Sequence, residues 1–549
     1  MEFFRKVAVL SLTVGFLSSC FSKKEAGLIV TNATVYTVDS VFSKTESFAV
    51  VDGKIAATGT SREILKEYSS ENIVDATGKF VYPGFNDAHC HFSGYAENLV
   101  MYADLRGTSG PEEIYERLKQ HHEKSGGDWI LGRSWDQNDW EVKEFPGKTK
   151  LDELFPDIPV YLVRVDGHAG WCNSKALELA GVTAESKVGG GEVMQKNGQP
   201  TGILIDNAMG LVAQIIPAIT GVQLQKGLTE AQRNCFTAGL TSVTDAGLDK
   251  STVLLMEEKQ NEGALKMRIN AMLNPTEENV ETFVKNGPRK TERLVVGSIK
   301  LFADGALGSR GALLLNDYSD DPGNSGLQIG PQEYYDRICQ MAYDNNFVVA
   351  THAIGDSANR FVLNTYGKFL KGKNDRRWRI EHAQVVNPAD FGKFARFSVV
   401  PSIQATHCTS DMYWVGERLG EERLKGAYAY QTLLKQNGWL PNGTDFPVEN
   451  IEPLLTFYAS VFRTDHNGWP EGGWQIDEGL TREQTLRSMT IWAAKASFEE
   501  NEKGTLEPGK YADFVILDTD LMTASPEDVL NAKIESTWVD GEKVFEKAE

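Results

Sequence analysis

"FNDAHCHF", residues 85 to 92, follows a Pro83-Gly84 turn and sets two of the chain's nine histidines one residue apart. Side chains alternate faces along a strand, so His89 and His91 point one way and Cys90 the other. Two imidazoles on one face can chelate a divalent ion, but a His-x-His alone is weak evidence, because strand ends often carry polar residues. Four more candidates stand near the ends of predicted strands: Lys300 in "SIKLFADG", His352 in "FVVATHAIGD", His382 in "WRIEHAQ" and Asp445 in "WLPNGTDFP". In a closed parallel barrel all strand ends of one polarity gather at one mouth, so residues far apart in sequence would converge there. Lys300 shares its parity with Val296, Ser298 and Phe302, a predicted barrel-facing row in which a lysine is the unusual member.

The stretches around these motifs alternate strand-length apolar runs, "TSVTDAG" and "SVVPSIQATH" among them, with helical patterns, as βα units round a parallel sheet do. "TREQTLRSMTIWAAKASFEE" predicts one outer helix, opened by a capping box between Thr481 and Gln484. Both ends of the chain read as β structure, with Asp-Gly turns at 52–53 and 540–541, so one small sandwich should draw on both termini. The organisation predicted is a signal segment over 1–19, a tether over 20–27, a composite β-sandwich from 28–85 plus 499–549, and an α/β barrel over 86–498. An insertion with β structure is expected at about 100–240, including a hairpin turning at Asn197-Gly198.

The first residues, "MEFFRKVAVLSLTVGFLSSC", combine Arg5 and Lys6 with an apolar run too short to span a bilayer, and then small residues. The ending "LSSC" resembles a bacterial lipobox. That resemblance implies lipid attachment at Cys20, export, and a membrane-held protein facing the periplasm or cell surface. The other five cysteines are scattered and odd in number, which does not indicate a disulfide framework. With 56 basic against 76 acidic residues and no basic cluster, nucleic acid is a poor partner. No G-x-S-x-G appears, and the glycines of "DGALGSRGALL" have neither dinucleotide nor Walker spacing, which argues against a serine hydrolase and against nucleotide binding.

Taken in order, His89-x-His91, Lys300, His352, His382 and Asp445, together with "DGHAGWCNSKAL", "KLFADGALGSRGALL", "HAIGDSAN", "RIEHAQ" and "GTDFPVE", resemble the metal-dependent amidohydrolase superfamily, in its YtcJ-like or amidohydrolase 3 branch. The resemblance covers nearly all of the chain after the signal segment. It implies a distorted (β/α)8 TIM barrel with one or two divalent ions, zinc foremost, at its mouth. His89, His91 and Asp445 would hold one ion, His352 and His382 the other, and Lys300 would bridge them as a carbamate.

The reaction so implied is hydrolysis of a C–N bond in a small amide, imide or formamide-like substrate, by hydroxide from a metal-held water with Asp445 as proton shuttle. C–O hydrolysis or deamination on the same scaffold is the alternative, and a non-catalytic metal- or ligand-binding lipoprotein the rival from another class. His168 is the expected carbonyl contact, with Asp136, Asp166, Arg310, Gln404 and His407 as further substrate-binding candidates. Trp135, Trp171 and Trp414 are candidate apolar walls.

Overall fold

The computed structural model describes residues 23–548 except 165, 166, 168, 189, 190 and 309. Cys20, Asp166 and His168 therefore lie outside the described residues.

Seven parallel strands form the centre of the molecule: β1 (Phe85–Cys90), β2 (Leu240–Leu248), β3 (Arg268–Leu273), β4 (Leu294–Phe302), β5 (Val348–Ala353), β6 (Arg379–His382) and β7 (Val400–Ser402). Each pairs in parallel with the next. The strand expected within 439–447 is not a regular one. It is an irregular stave bonded on both sides: the Gly443 amide donates to the Ile403 carbonyl at 2.9 Å, Ala88 to Asn442 at 3.3 Å, Asp445 to His89 at 2.8 Å and His91 to Phe446 at 2.8 Å. Pro441 and Pro447 lack amide donors, and a side chain at Gly443 would put its Cβ 2.5 Å from the His89 nitrogen, so the stave runs too close to β1 for ordinary strand pairing. The stave closes the ring, and the fold is a distorted (β/α)8 barrel.

Two local expectations need correction. Register passes from Ala271↔Val296 to Met272↔Ser298, so Gly297 is an extra residue in β4. Such a bulge flips parity. Val296 accordingly joins Ile299 and Leu301 in the main hydrophobic core, while Val295 lines a cavity with Ser298. The helix predicted from Thr481 is two helices, Arg482–Ser488 and Ile491–Ala496. Its capping box is present, but the Ser488 and Met489 carbonyls accept from Asn442 and Asn86 at 3.1 and 2.8 Å. Those carbonyls would otherwise serve Trp492 and Ala493, so fastening to the barrel ends the helix there.

Helices Lys250–Asn261, Gln332–Asp344, Asp356–Leu370 and Phe391–Phe397 follow β2, β4, β5 and β6. A four-stranded sheet and a six-stranded sheet built from both termini pack face to face over Val30, Val35, Phe48, Phe514 and Trp538. A second six-stranded sheet, spanning Tyr102 to Asp206, forms the inserted β element. Asp52-Gly53, Asn197-Gly198 and Asp540-Gly541 each make a two-residue hairpin turn with both φ positive, the conformation that Asn-Gly and Asp-Gly best tolerate.

Candidate metal centre and active site

The strand ends and the stave bring His89, His91, Lys300, His352, His382 and Asp445 into one cluster. Oδ1 of Asp445 lies 3.2 Å from Nε2 of His91 and 3.6 Å from Nε2 of His89. Nζ of Lys300 is 3.1 Å from Nε2 of His89. The His382 ring is 5.2 Å from that of His89 and 4.6 Å from that of His352, centroid to centroid. Two non-glycine residues of the cluster, His382 (φ 72°) and Asp445 (φ 62°), hold left-handed backbones. That conformation costs energy, and such strain concentrates at functional sites. For His382 the local reason is visible: the turn out of extended geometry lets it face the cluster beside its neighbour Glu381, which alternation would otherwise forbid.

Burial sets the charge states. It lowers His89 to about 4 and His352 to about 3, and the adjacent Lys300 charge pushes both the same way, so these imidazoles are neutral donors at pH 7. Burial also brings Lys300 down to about 8, which makes the free amine accessible. Burial opposes ionisation of Asp445, but contacts to His407 and His91 outweigh it and hold the carboxyl well below its usual range.

The donor set suits a divalent cation. His89, His91 and Asp445 form one group whose ligand atoms lie within 4.8 Å of one another, and His382, His407 and Asp445 form another. Nδ1 of His382 is buried with no hydrogen-bond partner among the described residues, a lone pair that an ion would satisfy. Neutral imidazoles plus a carboxylate are the ligands zinc and its neighbours prefer.

His407, one of the substrate-binding candidates, bridges two carboxylates: Nε2 is 3.2 Å from Asp445 Oδ2 and Nδ1 is 3.2 Å from Glu449 Oε1. Burial disfavours its protonation, yet these two acids raise it well above the ordinary imidazole value. Gln404 lies beyond the end of β7, fully buried, with both side-chain polar atoms unpartnered among the described residues. Arg310 is bound up with Asp320 at 2.8 Å on an exposed loop, and Asp136 pairs with Arg164 at 2.6 Å beside the inserted sheet. Trp135 and Trp171 are not cleft walls: both are fully buried in the core of the insertion, where their large apolar rings serve packing. Trp414 is partly buried, with the Arg418 guanidinium over its ring. Phe302 supplies an aromatic wall, 41% exposed, with Lys300 Nζ 4.9 Å from its ring centre and His352 at 5.6 Å.

Four supporting carboxylates were not singled out from sequence. Oε2 of Glu381 lies 2.7 Å from Nδ1 of His89, and Arg379 holds Glu381 through both carboxylate oxygens. Asp87 ties β1 to the stave, accepting from the His89 amide and from the Thr444 amide and hydroxyl. Asp304 accepts from the Leu313, Ile354 and Gly355 amides at 2.8–3.0 Å and lies 3.6 Å from His352. Glu449 is the outer partner of His407. A cavity of about 400 Å³ is lined by Asn270, Ser298, Val348 and Arg379 from the early parts of β3 to β6, away from the histidines at the strand ends.

Comparison with known proteins agrees with this architecture. The chain is 32% identical over 523 residues to the YtcJ protein of Bacillus subtilis, covering 94% of this chain and 98% of that one. It is 26% identical to the N-substituted formamide deformylase of Arthrobacter pascens, over 95% of this chain and 98% of that enzyme. An uncharacterized metal-dependent hydrolase from Pyrococcus horikoshii superposes with a TM-score of 0.77 at 30% identity, over 91% of this chain and 99% of that structure. The sequence profile of the amidohydrolase family matches residues 72–545, and with a barrel of the same kind carrying the histidines, lysine and aspartate at its mouth, the chain belongs to that family.

Proposed function

We propose that the protein is a metal-dependent hydrolase that cleaves a C–N bond of an amide, imide or formamide. The observation that carries this reading is the convergence of four imidazoles, one buried lysine and one ionised aspartate at a single barrel mouth. The likeness to an N-substituted formamide deformylase supports the choice of C–N over C–O. One or two divalent ions, zinc first among them, would be held by His89, His91, Asp445, His352 and His382, and would supply Lewis acidity and an acidified water at neutral pH.

The remaining chemistry belongs to the chain's own groups. Asp445 is ionised and faces the cluster, so it can accept the proton of the attacking water and return it to the departing nitrogen. Protonated His407 at 3.2 Å steadies that carboxylate between the two transfers. Lys300, with its amine easily deprotonated, can add carbon dioxide: the Nζ lone pair bonds the carbon, an N–H proton leaves, and a two-oxygen anion results. His168 stays our candidate for the carbonyl contact. The lipobox-like "LSSC" supports attachment through Cys20 and export to a bacterial membrane surface; Cys20→Ser should then shift the protein to the soluble fraction.

The test is turnover of a panel of N-formyl and N-acyl amines before and after chelation. Activity should vanish on metal removal and return with zinc or manganese. Metal binding without hydrolysis of any panel member would overturn the enzyme reading.

A further inference from the structure

A cavity of about 290 Å³ opens directly beside His91. Its walls are Ser93, Gly94 and Glu97 from the helix Phe92–Met101, Ala246, Gly247 and Leu248 at the end of β2 with Asp249 and Thr252 just beyond it, and the apolar pair Ile219 and Leu224. The carboxylates of Glu97 and Asp249 are in this lining, and no lysine or arginine is. Asp249 is exposed and accepts from the Asn274 amide at 2.9 Å. Glu97 is different. It is half-buried and makes neither a hydrogen bond nor an ion pair among the described residues, and Arg133 acts on it only at longer range.

A carboxylate withdrawn from water without a donor is a cost to the free protein, and it is recovered when a ligand brings the donor. Burial lifts the Glu97 carboxyl above its ordinary value, consistent with a group lacking its counter-charge. The apolar wall of Ile219, Leu224 and Leu248 suits a methylene stem leading to that charge. Glu97 stands six positions after His91, and along the helix that is about 9 Å, or roughly five to seven bonds of an extended substrate chain.

We infer that this cavity is a substrate subsite for a cationic group, an alkylammonium or guanidinium, with Glu97 as the pairing carboxylate. The inference rests on the hydrolase reading above and narrows it to amides that carry a basic tail.

Three matched probes decide it: N-formylcadaverine, N-formylhexylamine and ε-formamidocaproate, which differ only in ending as ammonium, methyl or carboxylate. The wild-type protein should favour the ammonium probe over the methyl probe by roughly ten-fold or more in kcat/KM, with the carboxylate probe last. In Glu97→Gln the ammonium-to-methyl ratio should fall to within about three-fold, and in Glu97→Lys the order of the charged probes should reverse. Thermal melting of each variant checks that the fold is retained. Equal use of all three probes by the wild type, or an unchanged ratio in Glu97→Gln, would overturn the subsite. If no probe is hydrolysed, calorimetry with cadaverine alone reads the subsite without chemistry. Binding that is lost in Glu97→Gln then keeps the subsite while the hydrolase reading fails, and no binding removes both.

Discussion

Nδ1 of His89 lies 2.7 Å from Oε2 of Glu381, and both side chains are completely buried. The carboxylate takes the ring's proton side, which fixes the tautomer and aims Nε2 at Lys300 and Asp445. Arg379 holds Glu381 in turn, and its guanidinium also donates to the Ala88 carbonyl and the Ser402 hydroxyl. A buried chain of charge thus positions one candidate ligand.

Glu381→Gln should keep the fold but weaken metal affinity by about 10–100-fold, because a neutral amide orients the imidazole less firmly and lowers its basicity. Glu381→Ala should be far harsher, costing about 3–5 kcal/mol, since it leaves the Arg379 charge buried and unpaired. Metal titration against a competing chelator, with urea unfolding alongside, separates the two effects. Unaltered affinity in the glutamine variant would remove the positioning role.

For Asp445→Asn the expected result is a kcat lower by about 10²–10⁴ with metal largely retained, since an amide can still offer an oxygen but cannot carry the proton. His407 would lose one of its two anionic partners and become easier to deprotonate. Full activity in this variant, with metal analysis showing occupancy, would contradict the shuttle role.

Lys300→Ala should reduce bound metal to at most one ion per chain, since no bridging anion could form. Intact mass measured under gentle conditions should show added carbon dioxide on the wild type and none on the variant. Two ions per chain in the variant would dismiss the bridge.

Residues at the barrel mouth were legible where one rule governs them. His89 and His91 stand out by alternation, and Lys300, His352 and His382 by lying at the ends of strands that must share a polarity. The hairpin turns were equally plain, because Asp-Gly and Asn-Gly report their own backbone conformation. Illegible features depend on departures from those rules. Glu381 is adjacent to His382, so alternation hides it, and only the positive φ at His382 turns both inward. A strand was expected around Asp445, but its irregular form as a stave was not legible, because its pairing is set by β1 and β7 rather than by its own residues. The helix break at Met489–Thr490 likewise follows from carbonyls bonded to Asn442 and Asn86, residues remote in sequence.

The stability of the metal-stripped protein should carry the signature of the buried imidazoles. His352, at about 3, is depressed from the ordinary value of 6.5 by burial and by Lys300. Between those values the unfolded chain binds a proton that the folded chain does not. The resulting stability is complete above about pH 6.5 and is lost as pH falls towards the folded value, at about 1.4 kcal/mol per pH unit for one imidazole. Asp87 and Asp304, lifted by burial from 3.8 to about 7, act in the opposite sense: their folded forms bind the extra proton, and stability falls as pH rises across that range. Because the two sets offset each other, the whole-protein profile is a poor test and a difference is needed. His352→Asn cannot titrate, so between pH 4 and pH 6.5 its unfolding free energy in urea should decline on acidification less steeply than the wild type's, by about 1.4 kcal/mol per unit. Parallel profiles would mean that His352 is not held neutral by its surroundings, and the set of imidazoles held neutral by burial at the mouth would lose one of its members.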